Sequence, residues 1–185
     1  HGIVQKRTAH VQFDVGIFTN LSRDHLDFHN TMNQYYEAKR GLFEQLASCD
    51  AKPKKVAVVN YDDEWGKKLI AYNEDRKLKT LSYGFGFGAD YRAVDLQQTR
   101  KGTDFKIEAG SRQFRASIPF IGKFNVYNAL AALVAGIGMG LNVRETVSNL
   151  ADLPQIPGRL ESVSEGRPFD VFVDYAHTPD ALSNA

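Results

Sequence analysis

The chain has a single cysteine, Cys49, among 185 residues. No internal disulfide can form, which excludes a small secreted scaffold stapled by cystines. It also lacks any apolar run near the roughly 18 residues that a spanning helix needs, so membrane insertion is not expected. Neither sign of charge is in excess: 23 basic side chains face 22 acidic ones, for a net charge of +1. Such a balance provides no long-range field for nucleic acid or for an anionic membrane, and any anionic ligand must be held by local geometry. The first residues, HGIVQKR, carry no charged-then-apolar leader, and a cytoplasmic protein is the simplest expectation. With no initiator methionine, and with ALSNA closing the chain inside a helical pattern, the sequence reads as part of a longer protein. Internal repeats and low-complexity linkers are absent, and 43% hydrophobic with 24% charged residues argues against disorder. The phosphate-cradling pattern G-x-x-x-x-G-K-[ST] is missing as well. GFGFGAD is glycine-rich but has no Lys-Ser/Thr, and it reads as a surface loop.

What is present has the rhythm of an α/β protein. FDVGIFT (13–19) and KKVAVVN (54–60) are short, apolar and partly β-branched, as buried parallel strands are. Each is followed by a helical pattern: TMNQYYEAKRGLFEQL opens on Thr31 with Gln34 three residues later, and DDEWGKKLIAY has an acidic first turn. Strand, helix, strand, helix predicts a doubly wound, mostly parallel sheet flanked by helices. The middle changes character. Phe105, Ile107 and Ala109 alternate with polar residues, Gly110 and Ser111 turn the chain, and Phe114, Ala116 and Ile118 alternate again, which predicts a hairpin with Tyr91–Leu96 beside it. Helices are expected over NVYNALAALVAGIG and after Asn142, the second ending before Pro154. Strands are expected at Arg159–Val163 and Phe169–Val173, and a final helix within DYAHTPDALSNA.

One residue breaks the pattern. Met32, Tyr35, Tyr36, Leu42, Phe43 and Leu46 form one apolar stripe, with Gln34, Glu37, Arg40, Glu44 and Gln45 opposite, and Lys39 lies inside the stripe. A lysine there either lays its stem along the apolar face and lifts its amine to water, or is desolvated into a neutral, reactive base. A neutral amine can capture carbon dioxide as a carbamate, an anion able to bind Mg²⁺. Just past the first strand, Asp24, His25, Asp27 and His29 offer further ligands where open α/β sheets place their sites. Mg²⁺ keeps several waters, so one imidazole and one carbamate suffice. Two plainer alternatives stand: turn residues with a capping or packing histidine, and a metallohydrolase built on that cluster with a tightly held transition metal.

TNLSRDHLDFH and the following YYEAKRGLF, together with HGIVQKR, GKFNVYNALAA, PGRLE and DYAHTPDAL, run in order along the whole chain. In that order they resemble the Mur ligases of peptidoglycan synthesis, most closely the MurE type that adds a diamino acid to UDP-N-acetylmuramoyl-L-alanyl-D-glutamate. The resemblance implies a bacterial cytoplasmic enzyme, expected to be monomeric, that uses ATP and Mg²⁺ to join meso-diaminopimelate or L-lysine to that substrate through an acyl phosphate. It implies that Lys39 is carbamylated and holds Mg²⁺ with His25, and that His1, Gln5 and Arg7 contact the UDP-muramoyl dipeptide.

For the nucleotide, Asn125 and Asn128 lie three residues apart at a helix start and offer amide donors and acceptors. Alone, Asn125 reads as a cap. Arg159 suits a polyphosphate and Asp174 suits ribose hydroxyls, or the two form a structural ion pair. The resemblance implies that Asn125, Asn128, Arg159, Asp174 and His177 all lie at ATP. It also divides the chain into residues 1–173, a central ATP-binding domain with an antiparallel subregion over 88–119, and residues 174–185, the start of a C-terminal ligase domain. The P-loop and a metal-site glutamate are then expected before His1, and the isolated piece is expected to bind nucleotide or UDP-sugar at most.

Overall fold

The structure, a computed structural model, describes residues 2–22, 30–164, 168–177 and 179–184. Six strands form one sheet in sequential order: β1 (Val15–Phe18), β2 (Val56–Asn60), β3 (Thr80–Gly84), β4 (Tyr91–Thr99), β5 (Gly102–Ala109) and β6 (Arg112–Ile118). β1 to β4 pair in parallel, and β4, β5 and β6 form the expected antiparallel meander. The parallel part is built by crossovers through α1 (Met32–Ala47) and α2 (Glu64–Asp75).

The reason for the all-apolar run in β2 is visible in its neighbours. All five of its residues are buried, and successive side chains point to opposite faces. Ala57 and Val59 join Tyr35, Tyr36, Phe43 and Leu46 of α1 and Leu69 of α2, whereas Val58 joins the other core with Val126, Leu130, Leu133 and Val134. These last four belong to α3 (Lys123–Gly138), which covers the second face. Helices on both faces of a mostly parallel sheet are the predicted architecture, a three-layer stack.

Local signals hold where they rest on backbone chemistry. The Thr31 hydroxyl accepts from the Gln34 amide at 3.2 Å and starts α1. Asn142 starts α4 (Val143–Ser148) by accepting from the Arg144 and Glu145 amides, and a 3₁₀ turn over Asn149–Asp152 ends the helical run before Pro154. β4 is longer than predicted. It passes through an irregularity between Val94 and Gln97, where Asp95 has φ +54° and its carboxylate meets Lys106 at 2.7 Å.

The last two strands differ from expectation. They shrink to β7 (Glu161–Ser162) and β8 (Phe172–Val173), an antiparallel ribbon separate from the main sheet, followed by α5 (Pro179–Asn184). Leu160 at φ +44° bends the chain just before β7, and Phe172 and Val173 remain exposed, so nothing extends the pairing into a larger sheet. No helix among the described residues is long and apolar enough to cross a membrane.

Candidate active site

The parallel strands end together, at Phe18, Asn60 and Gly84, the edge at which open α/β sheets bind ligands. The tetrapeptide Asn60-Tyr61-Asp62-Asp63 occupies the middle of that edge and holds its surroundings. Asn60 is buried; its amide nitrogen donates to the Thr19 carbonyl at 2.7 Å and its oxygen accepts from the Asp62 amide at 2.9 Å. Asp63 caps α2 with one oxygen, which accepts from the Trp65 and Gly66 amides, and with the other accepts from the Leu21 amide at 3.1 Å. The stretch after β1 is thereby fixed at Thr19 and at Leu21.

Asp62 faces the other way. It accepts from the amides of Phe85 at 2.6 Å and Gly86 at 2.8 Å, and from the Tyr127 hydroxyl of α3 at 2.7 Å. A Cβ on Gly86 would lie 2.5 Å from this carboxylate, and one on Gly84 2.7 Å from it. The glycines of GFGFGAD are therefore spaced to admit an internal carboxylate in a cradle of backbone amides. Burial first, then the hydrogen bond to Asp62 and its charge, push the Tyr127 phenol well above the ordinary tyrosine range, so it keeps its proton to donate. Burial, reinforced by Asp63, does the same for Tyr83, whose hydroxyl donates to the Phe18 carbonyl.

α3 begins at Gly122, whose φ of +90° is open to glycine and strained for other residues. Asn125 is 2% exposed, and its amide nitrogen donates to the Ile121 carbonyl at 2.8 Å. Its donor side is spent closing the loop into the helix. Asn128, three residues on, is exposed and open to a ligand. Leu160 packs against the start of the same helix, within 3.1 Å of the Cβ position of Gly122, and this brings the PGRLE and DYAH segments alongside. Arg159 is exposed. Asp174 accepts from the Leu160 amide at 2.9 Å and the Ala176 amide at 2.7 Å, while His177 Nδ1 pairs with the Tyr175 carbonyl at 2.8 Å. Asp174 thus joins the two segments through the backbone; the ion pair with Arg159 considered from sequence does not form. Leu160 and Asp174 thus bring the PGRLE and DYAH segments beside the start of α3, which carries the buried Asn125 and the exposed Asn128.

Lys39 lies midway along α1 and is half-buried, with Nζ 4.9 Å from the centre of the Tyr35 ring. Sequence places it inside the dry stripe; in the structure it is at the margin, because the core side of α1 is completed by Tyr35, Tyr36, Phe43 and Leu46. The amine rests against the Tyr35 ring face; a carbamate would have to leave that contact, and partial exposure leaves room for it to do so. Gln45, assigned from sequence to the wet side, is instead a clamp: its Nε2 donates to the carbonyls of Thr8 at 2.6 Å and Val11 at 2.9 Å, holding the N-terminal turns against α1. Gln5 and Arg7 are exposed on those turns. Gln5 and Arg7 are thus carried by turns that pack on α1, the helix that bears Lys39, on the face of the sheet opposite α3. His1, Asp24, His25, Asp27 and His29 lie outside the described residues, and among those described no three His, Cys, Asp or Glu side chains gather as a metal centre.

The sequence pattern does not single out the four residues Asn60 to Asp63, and in it Asp62 and Asp63 read only as an acidic first turn. The available signal was a polar quartet immediately after an unbroken apolar strand, with a glycine-rich loop following the next strand to receive it.

Comparison with known proteins identifies the family. A UDP-N-acetylmuramoyl-L-alanyl-D-glutamate–2,6-diaminopimelate ligase of Solibacter usitatus is 41% identical over 184 residues, which are 100% of this chain and 36% of that protein. The protein of the same name from Geobacter sulfurreducens is 38% identical over 187 residues, again 100% and 36%. A solved structure of a ligase of this name matches with a TM-score of 0.80 at 34% identity, over 98% of this chain and 36% of that one. The fold is shared more widely: MurF ligase from Thermotoga maritima, in complex with ADP, matches with a TM-score of 0.77 at 21% identity, over 99% of this chain and 40% of that one. The chain thus spans little more than a third of the relatives' length. Residues 1–136 match the Mur ligase middle domain, and the chain belongs to the Mur ligase family.

Proposed function

We propose that this chain is the central piece of an ATP-dependent ligase that joins 2,6-diaminopimelate to UDP-N-acetylmuramoyl-L-alanyl-D-glutamate, with its domain boundary after residue 173. The observation that carries the reading is identity of 36–41% along the entire chain to proteins bearing that activity in their names. Those names favour 2,6-diaminopimelate over L-lysine as the amine, and they give no support to a hydrolase built on Asp24, His25, Asp27 and His29.

In the proposed reaction the D-glutamyl carboxylate attacks the γ-phosphorus of ATP and ADP departs. The amine of the diamino acid then attacks the acyl carbon, phosphate leaves, and the amine proton passes to solvent. Charge neutralisation and positioning dominate such phosphoryl transfers. Mg²⁺, when bound, supplies part of that neutralisation, and the donor set suits a hard cation: a carbamate on Lys39 adds oxygen ligands, and His25 adds one nitrogen. Asn128 offers both a donor and an acceptor to the adenine edge. Arg159 is free to meet phosphate, and Asp174 keeps lone pairs for ribose while its backbone bonds hold the loop. Asn125 acts by fixing the loop that precedes α3. Gln5 and Arg7 orient the UDP-muramoyl dipeptide from the α1 side, with His1.

The test is a reconstituted reaction of the complete ligase carrying this segment, with ATP and the UDP-muramoyl dipeptide. Phosphate release and tripeptide formation are expected to depend on 2,6-diaminopimelate and to be far slower with L-lysine. Equal turnover without any diamino acid would overturn the assignment.

A further inference from the structure

One carboxylate at the strand ends, that of Asp62, belongs to neither the metal reading nor the nucleotide reading. Asp62 takes three hydrogen bonds from three neutral donors: the amides of Phe85 and Gly86 in the loop after β3, and the hydroxyl of Tyr127 in α3. It forms no ion pair with any lysine or arginine among the described residues. Bonds to an ionised acceptor are the stronger kind, so both attached segments are held by one group. A consequence is visible in the side chains that these segments carry. The rings of Phe85 and Tyr127 meet edge to face with centroids 4.7 Å apart. Lys123, the first residue of α3, rests its ammonium 4.6 Å from the Phe85 centroid and 6.0 Å from that of Tyr127. A cation at a helix N-terminus opposes the helix dipole; the aromatic pair offsets this and gives the ammonium a fixed seat. Tyr127 also immediately precedes Asn128, so whatever fixes the phenol fixes the first turns of the helix.

We propose that Asp62 is a positioning residue for the nucleotide: by tying Tyr127 to the loop after β3, it sets where Asn128 and Lys123 stand. The ligand it serves is a nucleoside polyphosphate, with an adenine edge for the amide and phosphate oxygens for the ammonium. Asp62 itself, enclosed by its three donors, contacts neither. The inference rests on the ATP reading given above for the start of α3.

The experiment uses the complete ligase with Tyr127→Phe, Asp62→Asn and the double variant. Tyr127→Phe removes one hydroxyl and leaves the ring in place, so the fold is retained even if Asp62→Asn, which sets an NH₂ donor against one of the two backbone amides, proves unstable. Losing one hydrogen bond to a carboxylate is expected to raise both the Kd and the KM for ATP about five- to twenty-fold. The KM values for the UDP-muramoyl dipeptide and the diamino acid should stay within about twofold. The double variant should be no worse than Asp62→Asn alone, because both changes break the same connection. A merely structural bond would lower the melting temperature of Tyr127→Phe and leave its ATP KM within about twofold of the parent; that result overturns the proposal. If the unsubstituted ligase binds no ATP, it is the parent reading that fails.

Discussion

At the scale of single residues, the strongest expectation attaches to Lys39. If its working form is a carbamate, Lys39→Ala in the complete ligase should abolish nearly all turnover, and Lys39→Glu, which restores an anion at similar reach, should recover part of it. Steady-state rates with and without added bicarbonate measure this; an alanine variant of normal activity would remove Lys39 from the mechanism. A second residue concerns stability alone. Asn73 of α2 is fully buried, and among the described residues neither end of its side-chain amide has a partner, a situation that costs about 1–3 kcal/mol. Its backbone carbonyl does useful work, accepting from the Arg76 and Leu78 amides, and any residue would retain that. Asn73→Leu is close in volume and should stabilise the chain by about 1 kcal/mol, read as a higher urea midpoint with unchanged slope. A lower midpoint would show that the amide is satisfied after all.

At the scale of elements, the tie between α2 and the segment after β1 makes a separable prediction. Asp63 serves as helix cap with one oxygen and holds the Leu21 amide with the other. Asp63→Ala loses both, for about 2–4 kcal/mol. Asp63→Asn keeps a side chain equally good as a cap and loses only the bond to Leu21, so its denaturation midpoint should fall between those of the parent and the alanine variant. Equal midpoints for the two variants would mean that the cap contributes nothing. The same comparison explains what was legible in the sequence. Elements and caps were readable because their causes are local: β2 from its apolar run, α1 from Thr31, α4 from Asn142, the β5–β6 hairpin from strict alternation around Gly110. Long-range bonds were not readable, because nothing local to Gln45 announces that residues 8 and 11 will fold back onto it, and nothing local to Asp62 announces Tyr127, 65 positions away. For the same reason the sequence pattern sets Lys39 deeper than the structure does: helical spacing gives a side, and only the neighbours give a depth. β7 and β8 are shorter than their sequence pattern because apolar alternation promises a strand without promising a partner to lengthen it.

At the scale of the whole molecule, the balanced charge leaves pH sensitivity to individual buried groups, and the tyrosines supply most of it at the alkaline end. Burial is the leading cause that raises Tyr36, Tyr72, Tyr83, Tyr91 and Tyr127 above the ordinary value of 10.0; neighbouring carboxylates add to it at all five, and Arg40 opposes it at Tyr36 and Tyr72. A phenol whose pKa is higher in the folded state than in the unfolded one binds its proton more tightly when folded. Its contribution is fully present below the unfolded pKa and declines as pH rises from there toward the folded pKa. Stability of the chain should therefore be insensitive to these groups up to about pH 9 and fall progressively above about pH 10, as unfolded tyrosines ionise while Tyr83 and Tyr127 remain neutral within the fold. Tyr127→Phe removes one of the two largest shifts. It should lower stability at neutral pH through the lost bond to Asp62, yet flatten the alkaline decline, so the parent and variant curves converge as pH rises. Urea titrations at intervals from about pH 8 to about pH 11 would follow this. Parallel curves would mean that the Tyr127 phenol titrates alike in the folded and unfolded chain, and that the hydroxyl of α3 is not held by the Asp62 carboxylate at the strand ends.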